Sequence, residues 1–351
     1  MKKVNLLSLF ILNLIFFSCG SNSGNKTSDF SLNFTASKTE FQLGETVEVA
    51  IKNLKNRQID SVRFFLNENN LGTGTSGNLL KFQLKDEKLG NQVIKAMVFS
   101  EGEKDTLQLP VKIYNDTPPT VYTYKIINTY PHDRTAYTQG LEFYRDTLYE
   151  STGQYGKSSL RKTNFETGEV LLKVELADKY FGEGLSILND KIYQLTWNEG
   201  EGLIYNLSTL EREGSFKFNQ SKEGWGLCNN GNRFYKSDGT EKIWILNGTT
   251  LAEETYIQPT THRSISTQLN ELEWVEGKIY ANTYQKDGVA IINPENGAIE
   301  GLINFQGLRD QVTQHDYLDV LNGIAYNPAT KKLYVTGKNW DKLFEVEIIK
   351  K

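Results

Sequence analysis

The chain has 351 residues, 38% hydrophobic and 23% charged, which supports packed cores and excludes wholesale disorder. Its net charge of −4, with acidic and basic residues interspersed and no basic stripe, argues against nucleic acid as a partner. Aromatic residues are abundant (18 Tyr, 18 Phe, 5 Trp), Pro is scarce at 7, and 29 Gly supply turns, a balance that suits an all-β protein.

The N-terminus reads as an address. Met1-Lys2-Lys3 is a short positive start, residues 4–17 are apolar apart from two Asn, and Ser18-Cys19-Gly20 follows. A positive region, an apolar stretch shorter than a membrane span and small residues at the cut define a secretory signal. The Cys at the cut resembles the bacterial lipobox, which implies cleavage before Cys19 and lipid on its sulfur. The expectation is a lipoprotein signal peptide over 1–18, a flexible tether over 19–29, and a lipid-anchored protein of the bacterial cell envelope, on its periplasmic or outer-membrane face. The second cysteine, Cys228, is read separately as a buried small hydrophobe, because a disulfide would tie a targeting segment to the body.

Residues 30–115 alternate apolar and polar at strand period, as in Val47-Glu48-Val49-Ala50-Ile51 and Val111-Lys112-Ile113. Turn signals such as Gly72-Thr73-Gly74 and Leu89-Gly90-Asn91 divide the stretch into about seven short strands, which predicts a small β-sandwich. The stretch from Val62 to Phe99 resembles bacterial immunoglobulin-like modules, usually spacers, and carries no catalytic cluster. Residues 116–121, with Pro118-Pro119, form a stiff linker.

From Tyr122 onward one pattern recurs. Its starts are Gly140-Leu141, Gly184-Leu185, Gly226-Leu227, Glu271-Leu272 and Gly323-Ile324, each followed by a strand ending in Tyr149, Tyr193, Tyr235, Tyr280 or Tyr334. A period of about 45 residues with several short strands per unit signals propeller blades. Five starts give five blades over 122–351. The last unit lacks a fourth strand, and Tyr122–Ile127 can supply it, closing the ring and removing its open edges.

In such a ring the innermost strands converge at one mouth. Gln139, Glu183, Trp225 and Asn270 sit at their starts, Trp197 and Tyr284 follow second strands, and Lys338 follows the last one. On residue type alone Glu183 is a turn acid, the tryptophans are packing residues, and Lys338, Gln139 and Asn270 are turn residues. The stretches AYTQGL (136–141), FGEGL (181–185), YQLTW (193–197), GWGL (224–227), NELEW (270–274), YANTY (280–284) and VTGKNWDKLFEV (335–346) together resemble the plant and bacterial type of glutaminyl-peptide cyclotransferase. The likeness spans residues 122–351 and implies a five-bladed propeller, so the expected fold is all-β, a five-bladed β-propeller preceded by an immunoglobulin-like β-sandwich.

The resemblance also implies the chemistry: cyclisation of an N-terminal glutamine to pyroglutamate with release of ammonia. By motif match Glu183 is the acid/base, Gln139 and Lys338 contact the substrate amide or intermediate, Asn270 orients the substrate, and Trp197 and Trp225 form walls. Tyr284 stands where many relatives have Trp. The implied partners are peptides or proteins with N-terminal Gln, acted on by a monomer without cofactor or metal; His132, His262 and His315 lack metal-ligand spacing. Glu150 reads as structural. The competing reading is a non-catalytic propeller lipoprotein that binds a ligand or protein, since the fold alone does not choose a function.

Overall fold

The computed structural model describes residues 28–73 and 78–351, so the signal peptide, Cys19 and most of the tether expected from the sequence lie outside the described residues. The described chain is all-β, with one short 3-10 turn at Arg309–Gln311.

Residues 30–114 form eight strands, one more than the seven expected, in two sheets. Phe30–Phe34, Thr46–Asn53 and Leu79–Gln83 make one sheet; Glu40–Gln42, Glu103–Tyr114, Gly90–Ser100, Ser61–Leu66 and Asn69–Thr73 make the other. The period-two alternation decides what lies between them. Val47, Val49 and Ile51 point inward from one sheet, and Phe64, Ile94, Ala96 and Val98 from the other.

The rest of the chain folds into five successive four-stranded antiparallel units. The first four are consecutive in sequence, opening with Thr138–Tyr144 (unit 1), Gly182–Leu188 (unit 2), Leu227–Asn229 (unit 3) and Leu269–Val275 (unit 4). Unit 5 has three C-terminal strands, Leu321–Asn327, Lys332–Gly337 and Lys342–Lys350. Its fourth is Thr120–Pro131, antiparallel to the last strand with Thr129 opposite Phe344. The first strand of each unit abuts that of the next, and unit 5 abuts unit 1, so five inner strands close a ring.

Burial follows distance from the ring centre. Every residue of Gly182–Leu188 is buried, whereas the outer strand of the same unit, Arg212–Lys217, has no buried residue. An inner strand has protein on both faces, so it cannot alternate with solvent. The repeated Gly-Leu has a steric origin. A Cβ on Gly184 would come within 2.6 Å of the Trp225 carbonyl, and one on Gly226 within 2.0 Å of the Asn270 carbonyl. Only glycine lets the inner strands approach so closely.

One pairing was not foreseen. The start of Thr120–Pro131 also runs parallel to the outer strand of unit 4, with Leu302 opposite Val121, merging units 4 and 5 into an eight-stranded sheet. This covers an edge that would otherwise be open. The N-terminal sheets contact the connection between units 3 and 4: Gln258 Oε1 accepts from the Asn91 amide at 2.7 Å, and Gln42 Nε2 donates to the His262 carbonyl at 3.0 Å.

Candidate active site

The starts of the inner strands bring polar residues to one mouth of the ring. Gln139 and Glu183 are almost fully buried, at 3% and 5% exposure. Gln139 Nε2 donates to Glu183 Oε1 at 2.9 Å, while Gln139 Oε1 accepts from Asn322 Nδ2 at 3.1 Å. Asn322 also donates to the Thr138 carbonyl at 2.9 Å, which fixes the carboxamide chain end to end. Glu183 Oε2 is buried and has no hydrogen-bond partner among the described residues, and Asn270 Oδ1 is in the same condition on the inner strand of unit 4. Buried polar atoms without partners are costly, so these two atoms mark where a ligand's polar groups would dock.

Burial pushes the Glu183 carboxyl well above the usual carboxylate range; Lys338 pulls it down, and the negative charges of Glu223 and Glu199 push it further up. Lys338 is itself buried, which lowers its affinity for a proton, while Glu183 and Asp319 oppose that shift. Its Nζ lies 4.7 Å from the ring centre of Tyr137 and 5.5 Å from that of Tyr284. Tyr137 is in turn held by Asp319, whose Oδ2 accepts from its hydroxyl at 2.9 Å.

Aromatic rings wall the mouth. Trp197 packs edge-on against Phe181 with centres 5.5 Å apart, Phe181 meets Tyr137 edge-on at 6.2 Å, and Trp225 meets Tyr284 edge-on at 5.7 Å. A Tyr in the position of the expected fourth-unit Trp therefore still closes that side against Trp225, and also meets Lys338. Both indole N–H groups donate to one oxygen, Glu223 Oε2, each at 2.8 Å.

Contacts connect six of the seven residues singled out in the sequence outside the N-terminal segment: Gln139 bonds Glu183, Lys338 acts on the Glu183 charge and meets Tyr284, Tyr284 meets Trp225, and Glu223 joins Trp225 to Trp197, while Asn270 stands at the start of the inner strand of unit 4. Sequence reasoning missed Tyr137, Phe181, Asn322 and Glu223. All four carried a signal. Tyr137, Phe181 and Glu223 each stand three residues before the Gly of a repeat start, just outside the inner strand, and Asn322 precedes Gly323 as Gln139 precedes Gly140.

Glu150 is structural. Its Oε1 accepts from Thr138 Oγ1 at 2.7 Å and lies 3.1 Å from His132 Nε2, with Arg161 3.8 Å from its other oxygen. Cys228 is buried as a small apolar residue. Among the described residues no group of three or more His, Cys, Asp or Glu side chains is placed to hold a metal ion.

A closed ring of β-units with an aromatic mouth, a proton-holding carboxyl and a buried ammonium group has the makings of an acid–base enzyme site for a small polar substrate. The sequence comparisons give the particular kind. A model of the glutamine cyclotransferase family matches residues 94–348, and the chain belongs to that family. It is 37% identical over 228 residues to a glutaminyl-peptide cyclotransferase of Arabidopsis thaliana, a match covering 64% of this chain and 71% of the relative. It also resembles the crystal structure of the Myxococcus xanthus glutaminyl cyclase, with TM-score 0.62 and 32% identity, over 66% of this chain and 99% of that one.

Proposed function

We propose that the protein converts the N-terminal glutamine of peptides or proteins to pyroglutamate with release of ammonia, and that Glu183 carries the protons. The observation that bears most weight is the Glu183 carboxyl: buried, protonated beyond the ordinary carboxylate range, tied by one oxygen to Gln139 and open at the other. Neutral α-amine nitrogen attacks the side-chain amide carbon, giving a tetrahedral centre with an anionic oxygen, a cationic ring nitrogen and the departing amino group. Glu183 gives its proton to the departing nitrogen and takes one from the ring nitrogen. Ammonia then leaves, the carbonyl re-forms, and the carboxyl is again protonated, so the step consumes no net proton. Lys338 and the Gln139 amide supply the positive field for the oxygen that gains charge. Asn270 Oδ1 accepts from the substrate's amine, and Trp197, Trp225 and Tyr284 confine a flexible side chain in its attack geometry.

We read the ring of five units as a five-bladed β-propeller over 122–351, supported by the closed circle of inner strands and the strand borrowed from before unit 1. The eight N-terminal strands over 30–115 fit an immunoglobulin-like spacer, joined by 116–121. With the lipobox at Cys19, this suits a monomeric, lipid-anchored enzyme of the cell envelope. The direct test is to incubate the soluble fragment from Ser28 onward with a Gln-initiated dipeptide. Ammonia release with pyroglutamate formation is the expected result; absence of both leaves only ligand binding as a reading of the mouth.

A further inference from the structure

The two indole walls come from different units. Trp197 follows the second strand of unit 2, and Trp225 precedes the inner strand of unit 3. Nothing in their own backbones fixes the angle between them. One atom bridges them directly: Glu223 Oε2 accepts from both indole nitrogens at 2.8 Å. Glu223 is held from behind. The buried Lys236 Nζ donates to the Glu223 carbonyl at 2.8 Å and pairs with Glu253 at 3.1 Å, with its charge 4.1 Å from the ring centre of Phe218. Glu253 in turn accepts from the amides of Gln220 and Ser221 at 2.7 and 2.9 Å. The segment before Trp225 is thus lashed to the interior of unit 3, and its one inward carboxylate spans the gap to unit 2.

We propose that Glu223 is a positioning residue that sets the spacing of the two indole walls and so determines how well the pocket grips a glutamine side chain. The inference rests on the proposed cyclase reading of the mouth. A carboxylate accepting two N–H bonds is stronger than a neutral acceptor, and the indoles, only partly buried, otherwise have rotamers to choose from. The same charge lies close enough to Glu183 to raise its proton affinity, among Lys338, Glu199 and Gln139, which are the other polar groups facing it.

The test compares wild type, Glu223→Ala, Glu223→Gln and Glu183→Gln by steady-state kinetics on a Gln-initiated dipeptide and by near-ultraviolet circular dichroism. Glu223→Ala should raise KM roughly tenfold, the worth of about one lost net hydrogen bond, with a smaller effect on kcat, and should change the indole bands. Glu223→Gln, whose amide oxygen still accepts both N–H groups, should restore most of KM. It should also move the pH limb set by Glu183 downward, because a neighbouring negative charge is gone. Wild-type KM and unchanged indole bands in Glu223→Ala would overturn the proposal. If the Ala variant does not fold, Glu223→Asp decides, because its shorter side chain does not reach both indoles: a raised KM with altered indole bands supports the proposal, and wild-type KM with unchanged bands overturns it. An inactive wild type sinks the cyclase reading instead, an active Glu183→Gln removes only the role given to Glu183, and the indole bands of Glu223→Ala still report on the clamp.

Discussion

Gln139 Nε2 and Glu183 Oε1 meet at 2.9 Å across the junction of units 1 and 2, and this contact divides the carboxyl's labour. One oxygen is pinned and the other is free. Because the pinned oxygen accepts an N–H, the titrating proton belongs on the free one, where a substrate nitrogen would lie.

Glu183→Gln keeps the shape and removes the exchangeable proton. Turnover of a Gln-initiated peptide is expected to fall about 10²–10⁴-fold, the usual worth of general acid–base help. KM should change far less, because Asn270 and the indole walls remain. Unfolding temperature should stay within a few degrees of wild type, since loss of a buried carboxyl costs nothing in packing. Turnover within a few-fold of wild type would remove Glu183 from the mechanism.

Stability should fall as pH rises from about 4.5 to about 8. Two more inner-strand carboxyls, Glu271 and Glu273, are buried, and Glu142 is half-buried on the inner strand of unit 1. Burial raises all three, and for Glu142 the value is pushed up from 4.5 to about 8. Between those values the unfolded chain has released the proton that the folded chain keeps, so each step up in pH favours unfolding; below about 4.5 both states hold it and the effect is absent. Glu142 accepts from Ser186 Oγ at 2.8 Å and from the Ile187 amide at 3.1 Å, stitching unit 1 to unit 2. Glu142→Gln should flatten the decline, seen as a smaller drop in melting temperature between pH 5 and 8 than wild type shows. Parallel curves for the two proteins would refute the assignment.

Lys236 and Glu253 form an ion pair at 3.1 Å with side chains 0% and 1% exposed. Lys236→Met leaves a buried carboxylate without its cation, and breaking such a pair typically costs about 3–5 kcal/mol. The variant should unfold at correspondingly lower denaturant concentration. Replacing both partners by apolar residues should recover part of the loss, and denaturant titration of the single and double variants distinguishes a paired charge from simple packing.

Cys19→Ser should release the protein from membranes into the soluble fraction, as the lipobox reading requires. Because one acyl chain binds a bilayer only marginally, anchoring at that residue calls for two or more. A Ser variant that still sediments with membranes would reject the lipid anchor.

The sequence by itself determined the repeat, since Gly-Leu starts three of the five inner strands, and a Cβ at Gly184 or Gly226 would collide with the backbone of the neighbouring strand. It also determined the residues at the mouth, because a fixed place in a repeat becomes a fixed place around a ring. Asn322 was legible by the same rule, and so were Tyr137, Phe181 and Glu223, each three residues before the Gly of a repeat start. Tertiary structure alone decided the rest. The parallel pairing of Leu302 with Val121 joins residues far apart in the chain, and no local pattern announces which edge a strand will cover. The convergence of Trp197 and Trp225 on Glu223 belongs to two units at once. Glu271 and Glu273 look like ordinary surface acids in sequence; only the closing of the ring removes them from water and turns their charge into a cost.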